Sequence, residues 1–295
     1  MDDATTRTKG TDGNVGSGEV SSAVAFAHAN GFTPGAYRQL LRELGSGNHP
    51  IPLKLAPLSG EVAPTRRWDA LAQEVGSQVD SLGRPVVGIG HSLGATLLLS
   101  TAAAEPRRFR QLVLIEPIAL PPLLAIFLRL APGRVRRRGP LAQAARRRVD
   151  RWSDRNAAFA AHRQRRRFGQ IPDKVLVDML EDGLVEDAQG VTLRYTKEWE
   201  ATLYESPPNI WPLLRRSLPP ILLVRGAESD LFDSRTLKRW QHVRPQDEVV
   251  TISGGGHLLP LERPQETAAA IHCALAARSE PADGGSNWQA PPTIT

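Results

Sequence analysis

The sequence predicts an α/β fold: a mostly parallel, doubly wound sheet with an inserted helical cap. Three features of the 295 residues indicate it: short apolar runs without polar alternation, segments of helical period between those runs, and one long stretch that breaks the alternation. Strands that are apolar on both faces are typical of parallel sheets covered by helices on two sides.

The elements before the long stretch alternate regularly. The helix over 68–82 is amphipathic at the helical period, and the helix over 93–104 is rich in Leu and Ala and is stopped by a proline. The strands are apolar runs, of which the one over 85–90 is rich in β-branched residues. The predicted order is strand 20–27, helix 37–44, strand 51–56, helix 68–82, strand 85–90, helix 93–104 and strand 111–115.

The alternation resumes near the end of the chain. The predicted elements there are strand 220–225, helix 234–242, strand 248–252 and a last helix over about 263–277. Residues 118–208 are helix-rich and are interpreted as a cap inserted into a core of residues 19–117 and 209–278. The tails 1–18 and 279–295 have no repeating apolar face and are predicted to be disordered.

Charge and composition exclude several classes of protein. The net charge is +6, but fourteen arginines and two aspartates lie between Arg129 and Arg167, so the remainder is acidic. This is not the pattern of a generally basic, nucleic-acid-binding chain. No secretory signal or transmembrane run is visible, so a cytoplasmic protein is expected. The single cysteine, Cys273, is interpreted as a small core residue.

A nucleophile motif lies between one predicted strand and the helix that follows it. The sequence Gly90-His91-Ser92-Leu93-Gly94 fits G-x-S-x-G, in which a sharp turn lifts the serine hydroxyl above the sheet. Side chains at the two glycines would clash with that turn, and the helix presents its positive end to an anion formed at the substrate. Ser92 is therefore predicted to be a nucleophile, and the alternative is an idle serine in a glycine-rich turn.

A histidine and a carboxylate follow later strands. His257 comes after three glycines in the loop behind the last strand, where a neutral imidazole can take the serine proton. Asp230, in the loop behind the preceding strand, is predicted to orient that imidazole. Its rivals are Glu228, Asp233 and, farther away in the chain, Glu116.

An oxyanion requires backbone N–H donors near the nucleophile. One is predicted to come from Leu93, directly after the serine, and the other from the first strand–helix loop, whose sequence is H-A-N-G-F. In that loop Phe32 is the predicted donor, with Asn30 as the next candidate. His28 is interpreted as a brace for the loop and not as a participant in chemistry.

These motifs together resemble the α/β-hydrolase family over roughly residues 20–277. The resemblance is carried by the H-A-N-G-F loop, the G-H-S-L-G elbow, the R-G-x-x-S-D turn and the G-G-H-x-x-P-x-E-R-P ending. It implies an α/β-hydrolase fold with a helical cap, and hydrolysis of esters, lactones or amides. Relatives that dehalogenate or open epoxides carry aspartate where this chain has Ser92. Few residues precede the first loop, so a sheet truncated to the six predicted strands is expected.

The leading functional hypothesis is hydrolysis of a carboxylic ester, lactone or thioester of a small or lipid-like molecule through an acyl-enzyme on Ser92. The alternatives are acyl transfer, perhydrolysis or carbon–carbon bond hydrolysis with the same triad, and a non-catalytic binding module. The sequence has no metal-ligand cluster, phosphate loop or dinucleotide fingerprint, so no metal or cofactor is expected. The expected partner is a small acyl substrate and not nucleic acid.

The arginine-rich cap allows two interpretations. It is either an ordinary solvated surface or a surface that attracts an anionic or lipid-like substrate. Because residues 118–208 begin just after the carboxyl end of a strand, they are predicted to form a mobile lid over Ser92.

Overall fold

A computed structural model of the chain describes residues 23–45, 50–55 and 68–276. The two predicted disordered tails lie outside these residues. In the described part, no helix combines the length and the apolarity needed to cross a bilayer.

The strands and helices follow the predicted alternation. The first half comprises β1 (Val24–Ala27), a 3-10 turn (Pro34–Tyr37), α1 (Arg38–Leu44), β2 (Pro50–Pro52), α2 (Trp68–Asp80), β3 (Val86–His91), α3 (Leu93–Ala104) and β4 (Phe109–Ile115). The inserted segment comprises α4 (Pro122–Leu130), α5 (Gly133–Arg137), α6 (Pro140–Arg147), β5 (Arg151–Trp152), α7 (Arg155–Arg163), α8 (Asp173–Gly183), β6 (Leu184–Asp187), β7 (Gly190–Leu193) and α9 (Lys197–Tyr204). The chain then returns through β8 (Ile221–Gly226), α10 (Ser234–Val243), β9 (Glu248–Ile252), α11 (Leu259–Glu262) and α12 (Pro264–Ala276).

The core is one six-stranded sheet in the order β2-β1-β3-β4-β8-β9, and each of its strand pairs is parallel. The predicted α/β fold with a doubly wound sheet is thereby confirmed. The direction of winding reverses between β1 and β3. In open α/β sheets, the crevice at the carboxyl ends of the strands beside such a reversal is the usual ligand site.

Both faces of the sheet are buried, which explains why its strands show no polar alternation. In β4, Leu112 and Leu114 pack with α2 and α3 on one face, whereas Val113 and Ile115 pack with α1 and α12 on the other. All four side chains are fully buried. A strand covered on two sides must be apolar at every position, as the sequence of β4 is.

The inserted segment contains more than helices. Its short strands form a three-stranded antiparallel sheet in the order β5-β7-β6. The turn-like residues 186–190 close the β6–β7 hairpin, in which Asp187 pairs with Gly190. These strands were not among the elements predicted from the sequence.

Cys273 is exposed, which corrects its interpretation as a core residue. The buried stripe of α12 consists of Pro264, Thr267, Ala268, Ile271 and Ala274, which recur at the helical spacing. Cys273 falls outside this stripe. Because the helix contains many small apolar residues, the sequence alone did not show which face would be covered.

Candidate active site

Ser92 lies at a strained turn between β3 and α3. Its φ angle is 52°, in the left-handed region that residues with a side chain rarely adopt. A Cβ atom added to Gly94 would come within 2.1 Å of the Ala27 carbonyl oxygen, and one added to Gly90 within 2.6 Å of the Ala95 nitrogen. Glycine is therefore required at both positions, as the sequence motif predicts.

His257 faces the serine from the loop between β9 and α11. Its Nε2 atom lies 3.0 Å from the Ser92 Oγ atom, within hydrogen-bond distance. The loop approaches β8 closely, since a Cβ atom on Gly226 would lie 2.1 Å from the Gly255 carbonyl oxygen. The structure thus brings together the two residues predicted to be nucleophile and base.

The carboxylate behind the histidine belongs to Glu116, at the end of β4. Its Oε2 atom lies 3.2 Å from the His257 Nδ1 atom, and its side chain is fully buried. The Gly226 N–H donates to Oε1 at 2.8 Å, and the Ser229 hydroxyl donates to Oε2 at 2.5 Å. These two donors satisfy a carboxylate that burial alone would destabilise, and they fix its orientation toward the imidazole.

Glu116 therefore occupies the position predicted for Asp230, and we correct that assignment. Asp230 and its neighbour Glu228 are exposed to solvent, and Asp233 instead accepts a hydrogen bond from the backbone of α10. The loop after β8 does reach the site, as expected. It contributes the Ser229 hydroxyl, and Gly226 at the end of β8 contributes its backbone N–H; both donate to the Glu116 carboxylate.

A chain of hydrogen bonds connects the first strand–helix loop to the histidine loop. The Ala29 N–H donates to the Tyr37 hydroxyl at 3.1 Å, and that hydroxyl lies 2.7 Å from the His91 Nδ1 atom. The His91 Nε2 atom lies 2.8 Å from the His257 carbonyl oxygen. Because a carbonyl can only accept, Nε2 carries the proton and Nδ1 accepts from Tyr37.

Burial and, to a smaller extent, the nearby charge of His257 lower the pKa of His91 to about 3. His91 is accordingly neutral near pH 7, as the hydrogen-bond directions require. The sequence alone predicted no role for Tyr37 or His91. Only the position of His91 beside the nucleophile pointed to it, and Tyr37 gave no signal.

The predicted oxyanion donors differ in their hydrogen-bond partners. Leu93 is the first residue of α3, where N–H groups have no partner within the helix. The Phe32 N–H makes a 3.3 Å bond to the Ala29 carbonyl, which closes the turn at Gly31. The Asn30 side chain donates to the Glu200 carbonyl at 3.1 Å, so α9 holds this loop from outside.

A cavity of about 40 Å³ lies beside this loop and beneath the inserted segment. Arg148, Arg167 and Glu200 are among its lining residues. Arg148 pairs with the buried carboxylate of Glu200. Burial lowers the pKa of nearby Arg165, and the charges of Arg148 and Arg167 lower it further. The charge of Glu200 also acts on Arg165, so three guanidinium groups and one carboxylate lie near one another.

A larger open groove of about 830 Å³ is lined by residues at the amino end of β8, including Pro220. The amino ends of the parallel strands lie on the opposite side of the sheet from Ser92, which follows the carboxyl end of β3. The smaller cavity is instead lined by residues 30–33 of the first strand–helix loop, where the oxyanion donors are predicted.

This combination of sheet, elbow and histidine loop defines the α/β-hydrolase class. The chain belongs to the alpha/beta hydrolase family, whose model matches residues 24–270. The resemblance noted in the sequence is confirmed. A search of curated protein sequences found no match.

Solved structures of low sequence identity share the fold. An E-2-(acetamidomethylene)succinate hydrolase is 20% identical, with a TM-score of 0.73 over 86% of this chain and 91% of the other. The thioesterase domain from the curacin biosynthetic pathway is 17% identical, with a TM-score of 0.69 over 86% and 92%. A malate-bound thermophilic esterase from Thermogutta terrifontis is 19% identical, with a TM-score of 0.60 over 87% and 90%.

Proposed function

We propose that this protein is a serine hydrolase that cleaves a carboxylic ester, lactone or thioester. The observation that carries the proposal is one series of hydrogen-bonded side chains. It runs from the Ser92 Oγ atom to His257 at 3.0 Å, and from His257 to the buried Glu116 carboxylate at 3.2 Å. A hydroxyl, an imidazole and a carboxylate in this order are the groups that acyl transfer to serine requires.

In the first half of the reaction, the Ser92 oxygen attacks the acyl carbonyl while His257 Nε2 takes the hydroxyl proton. Glu116 accepts from His257 Nδ1, so it holds the reactive tautomer and stabilises the imidazolium ion that forms. The developing oxyanion is bound by the backbone N–H of Leu93 and by one from the first loop, at Asn30 or, once its 3.3 Å bond to the Ala29 carbonyl opens, at Phe32. His257 then protonates the leaving alcohol or thiol.

In the second half, water attacks the acyl-enzyme and His257 acts as the base again. Esters, lactones and thioesters share this acyl-enzyme and differ only in the leaving group. The solved structures with this fold carry the names of several different hydrolases. The fold alone therefore does not determine which bond of the substrate is cleaved.

The cap arginines support a substrate that carries an anionic group. The cavity beside the first loop is small, and Arg148, Arg165 and Arg167 exceed the charge of Glu200 around it. A carboxylate on the substrate would be held there by charge-assisted hydrogen bonds. We therefore include an acidic acyl compound as the preferred substrate class in this proposal.

A fluorophosphonate probe tests the nucleophile directly. The wild-type protein should be labelled at Ser92, as read by peptide mass spectrometry, and should hydrolyse at least one member of a panel of esters, lactones and thioesters. Ser92→Ala should remove labelling and nearly all turnover with an unchanged circular dichroism spectrum. A folded wild-type protein that resists the probe, or an alanine variant with full turnover, would refute the proposal.

A further inference from the structure

Helix α4 turns its apolar side chains toward solvent. Leu123 is 82% exposed, Leu130 77% and Phe127 55%, and Leu124 and Ile126 are exposed as well. Ala125 is the one buried residue of this nine-residue helix. A contiguous apolar surface of this kind on a soluble chain marks an interaction site more often than chance exposure.

The apolar residues cover one continuous arc. At about 100° per residue, Leu123, Phe127 and Leu130 lie on one line, with Leu124 and Ile126 on either side of it. The arc spans about 160°, and Ala125 points the opposite way, toward the protein. The helix thus carries most of its large apolar side chains on its outward face.

The start of the helix is fixed on the core. The buried Trp211 donates its indole N–H to the Leu120 carbonyl at 2.7 Å, two residues before α4 begins. Ala125 also packs inward. The apolar face is therefore held in place by contacts on its opposite side.

The same part of the chain is strongly basic. Residues 118–149 contain eight arginines and no aspartate or glutamate. Arg137, Arg146 and Arg148 pair with glutamates of α9 or just beyond it. In the described residues no ion pair engages the other five, which are Arg129, Arg134, Arg136, Arg138 and Arg147.

We propose that α4 and the basic residues 129–138 form a docking surface for an anionic lipid bilayer. The apolar arc inserts at the level of the headgroups, while the guanidinium groups contact lipid phosphates. A helix of this length lies in the interface and does not span the bilayer. Binding is reversible, because one short helix with a basic patch is a modest anchor.

Charge distinguishes this partner from a second copy of the chain. A two-fold dimer brings the same surface of each copy together, so the arginines of residues 129–138 in the two copies would come close to one another. Like charges in contact oppose association, whereas an anionic bilayer complements them. The proposal concerns binding only, and it stands or falls independently of the reaction at Ser92.

Co-sedimentation with lipid vesicles tests the apolar arc. The full chain should bind vesicles of phosphatidylglycerol and phosphatidylcholine, but not phosphatidylcholine alone, and 1 M NaCl should release it. Phe127→Asp with Leu130→Asp should abolish binding, because both side chains belong to the apolar arc that is proposed to insert into the bilayer. Val177→Asp is the matched control, since Val177 is an exposed apolar residue of α8, outside the proposed surface.

Two double variants test the basic residues of the proposed docking surface. Arg134→Gln with Arg138→Gln should weaken binding to anionic vesicles by about tenfold or more, since each arginine near the surface contributes. Arg84→Gln with Arg215→Gln removes two exposed arginines near the amino ends of β3 and β8, and should leave binding unchanged. All of these positions are exposed, and thermal unfolding of each variant checks the fold.

Three outcomes would overturn the proposal. The first is equal binding to neutral and anionic vesicles, or none to either. The second is a dimer, seen by analytical ultracentrifugation, that the Phe127 and Leu130 variants dissociate, which would assign the surface to a second copy. The third is binding to polyglutamate but not to vesicles, which would indicate an acidic protein partner.

Discussion

Two non-glycine residues have positive φ angles in the described part of the chain, and both belong to the hydrogen-bonded series of Ser92, His257 and Glu116. They are Ser92 at 52° and Glu116 at 50°. Such backbone costs of order 1 kcal/mol or more and persists only where the surroundings hold it. Glu116 is held by its backbone bond to Val224 and by the donors on its carboxylate. Backbone strain that is retained at both Ser92 and Glu116 indicates that these residues have a functional role.

Neutralising Glu116 should slow the reaction much more than neutralising Asp230. In Glu116→Gln the amide no longer stabilises the imidazolium of His257, so kcat should fall by on the order of 10³–10⁴ with little change in KM. Asp230→Asn should remain close to wild type, because Asp230 is exposed. Steady-state kinetics on one ester measures both, and the opposite ranking would return the acid to the loop after β8.

The proximity of Ser92 and His257 could be predicted from the sequence because local glycine patterns define their turns. The acid could not, since its identity depends on which strand end faces the histidine loop. Glu116 and Asp230 each follow an apolar strand, and those strands are neighbours in the sheet. Sequence spacing favoured Asp230, but the register of β4 and β8 brings Glu116 under the imidazole and leaves Ser229 as its donor.

Removing the Tyr37 hydroxyl should affect both stability and turnover. Tyr37→Phe leaves the Ala29 N–H and the His91 Nδ1 atom without their partner, which should cost about 1–3 kcal/mol of unfolding free energy. Because His91 positions the backbone of His257, kcat should also fall while KM changes little.

The matched control for this variant is Thr101→Val. The Thr101 hydroxyl is also buried and donates to the backbone of α2 and α3, away from the site. It should lose stability without losing kcat. A Tyr37→Phe protein with wild-type kcat would show that the hydrogen-bond chain serves packing alone.

At the scale of elements, the two halves of the inserted segment differ in how they meet the core. Helix α8 buries Leu176 and Leu180 in the same cluster as Tyr37 and Leu40, and Asp182 accepts from the backbone of the 3-10 turn before α1. Helices α4 and α5 bury one residue between them. If the segment moves as the predicted lid, we expect α4 and α5 to move while α7 and α8 stay in place.

The arginines of the cap should make turnover of anionic esters sensitive to salt. The Debye length falls from about 10 Å at 0.1 M to about 3 Å at 1 M salt, so attraction over longer distances is screened. The kcat/KM of an anionic ester should therefore fall with salt more than that of a neutral ester of equal size. In Arg165→Gln with Arg167→Gln the two salt responses should converge.

The double variant at Arg84 and Arg215 provides the control for lost positive charge. It should keep the difference between the anionic and the neutral ester. Equal salt responses in the wild-type protein would identify the cap arginines as ordinary solvated surface.

At the scale of the whole molecule, the sheet was predictable because its strands are continuous apolar runs. The bounds of β9 and α3 agree with the sequence prediction to the residue. The small sheet β5-β7-β6 was not predictable, since its strands are two to four residues long and only partly buried. Their pairing depends on tertiary packing, and local propensity is weak over so few residues.

Buried histidines make the stability of the whole fold depend on pH. Burial is the largest cause that lowers the pKa of His28 to about 4 and of His91 to about 3, and it also lowers the pKa of His162. In the unfolded chain these groups titrate near 6.5. Below that pH the unfolded state therefore binds more protons, and acid favours unfolding.

The free energy of unfolding should thus fall as the pH is lowered from about 6.5 to 4.5. The slope approaches about 1.4 kcal/mol per pH unit for each histidine that stays neutral in the fold. Burial raises the pKa of Glu262, which acts in the opposite direction and reduces the net slope. Urea unfolding at several pH values measures it, and His91→Gln should make the slope shallower because one of the contributing groups is removed. A free energy of unfolding that is constant across this range would mean that these imidazoles are solvated. That result would contradict the burial that keeps His91 neutral beside Ser92.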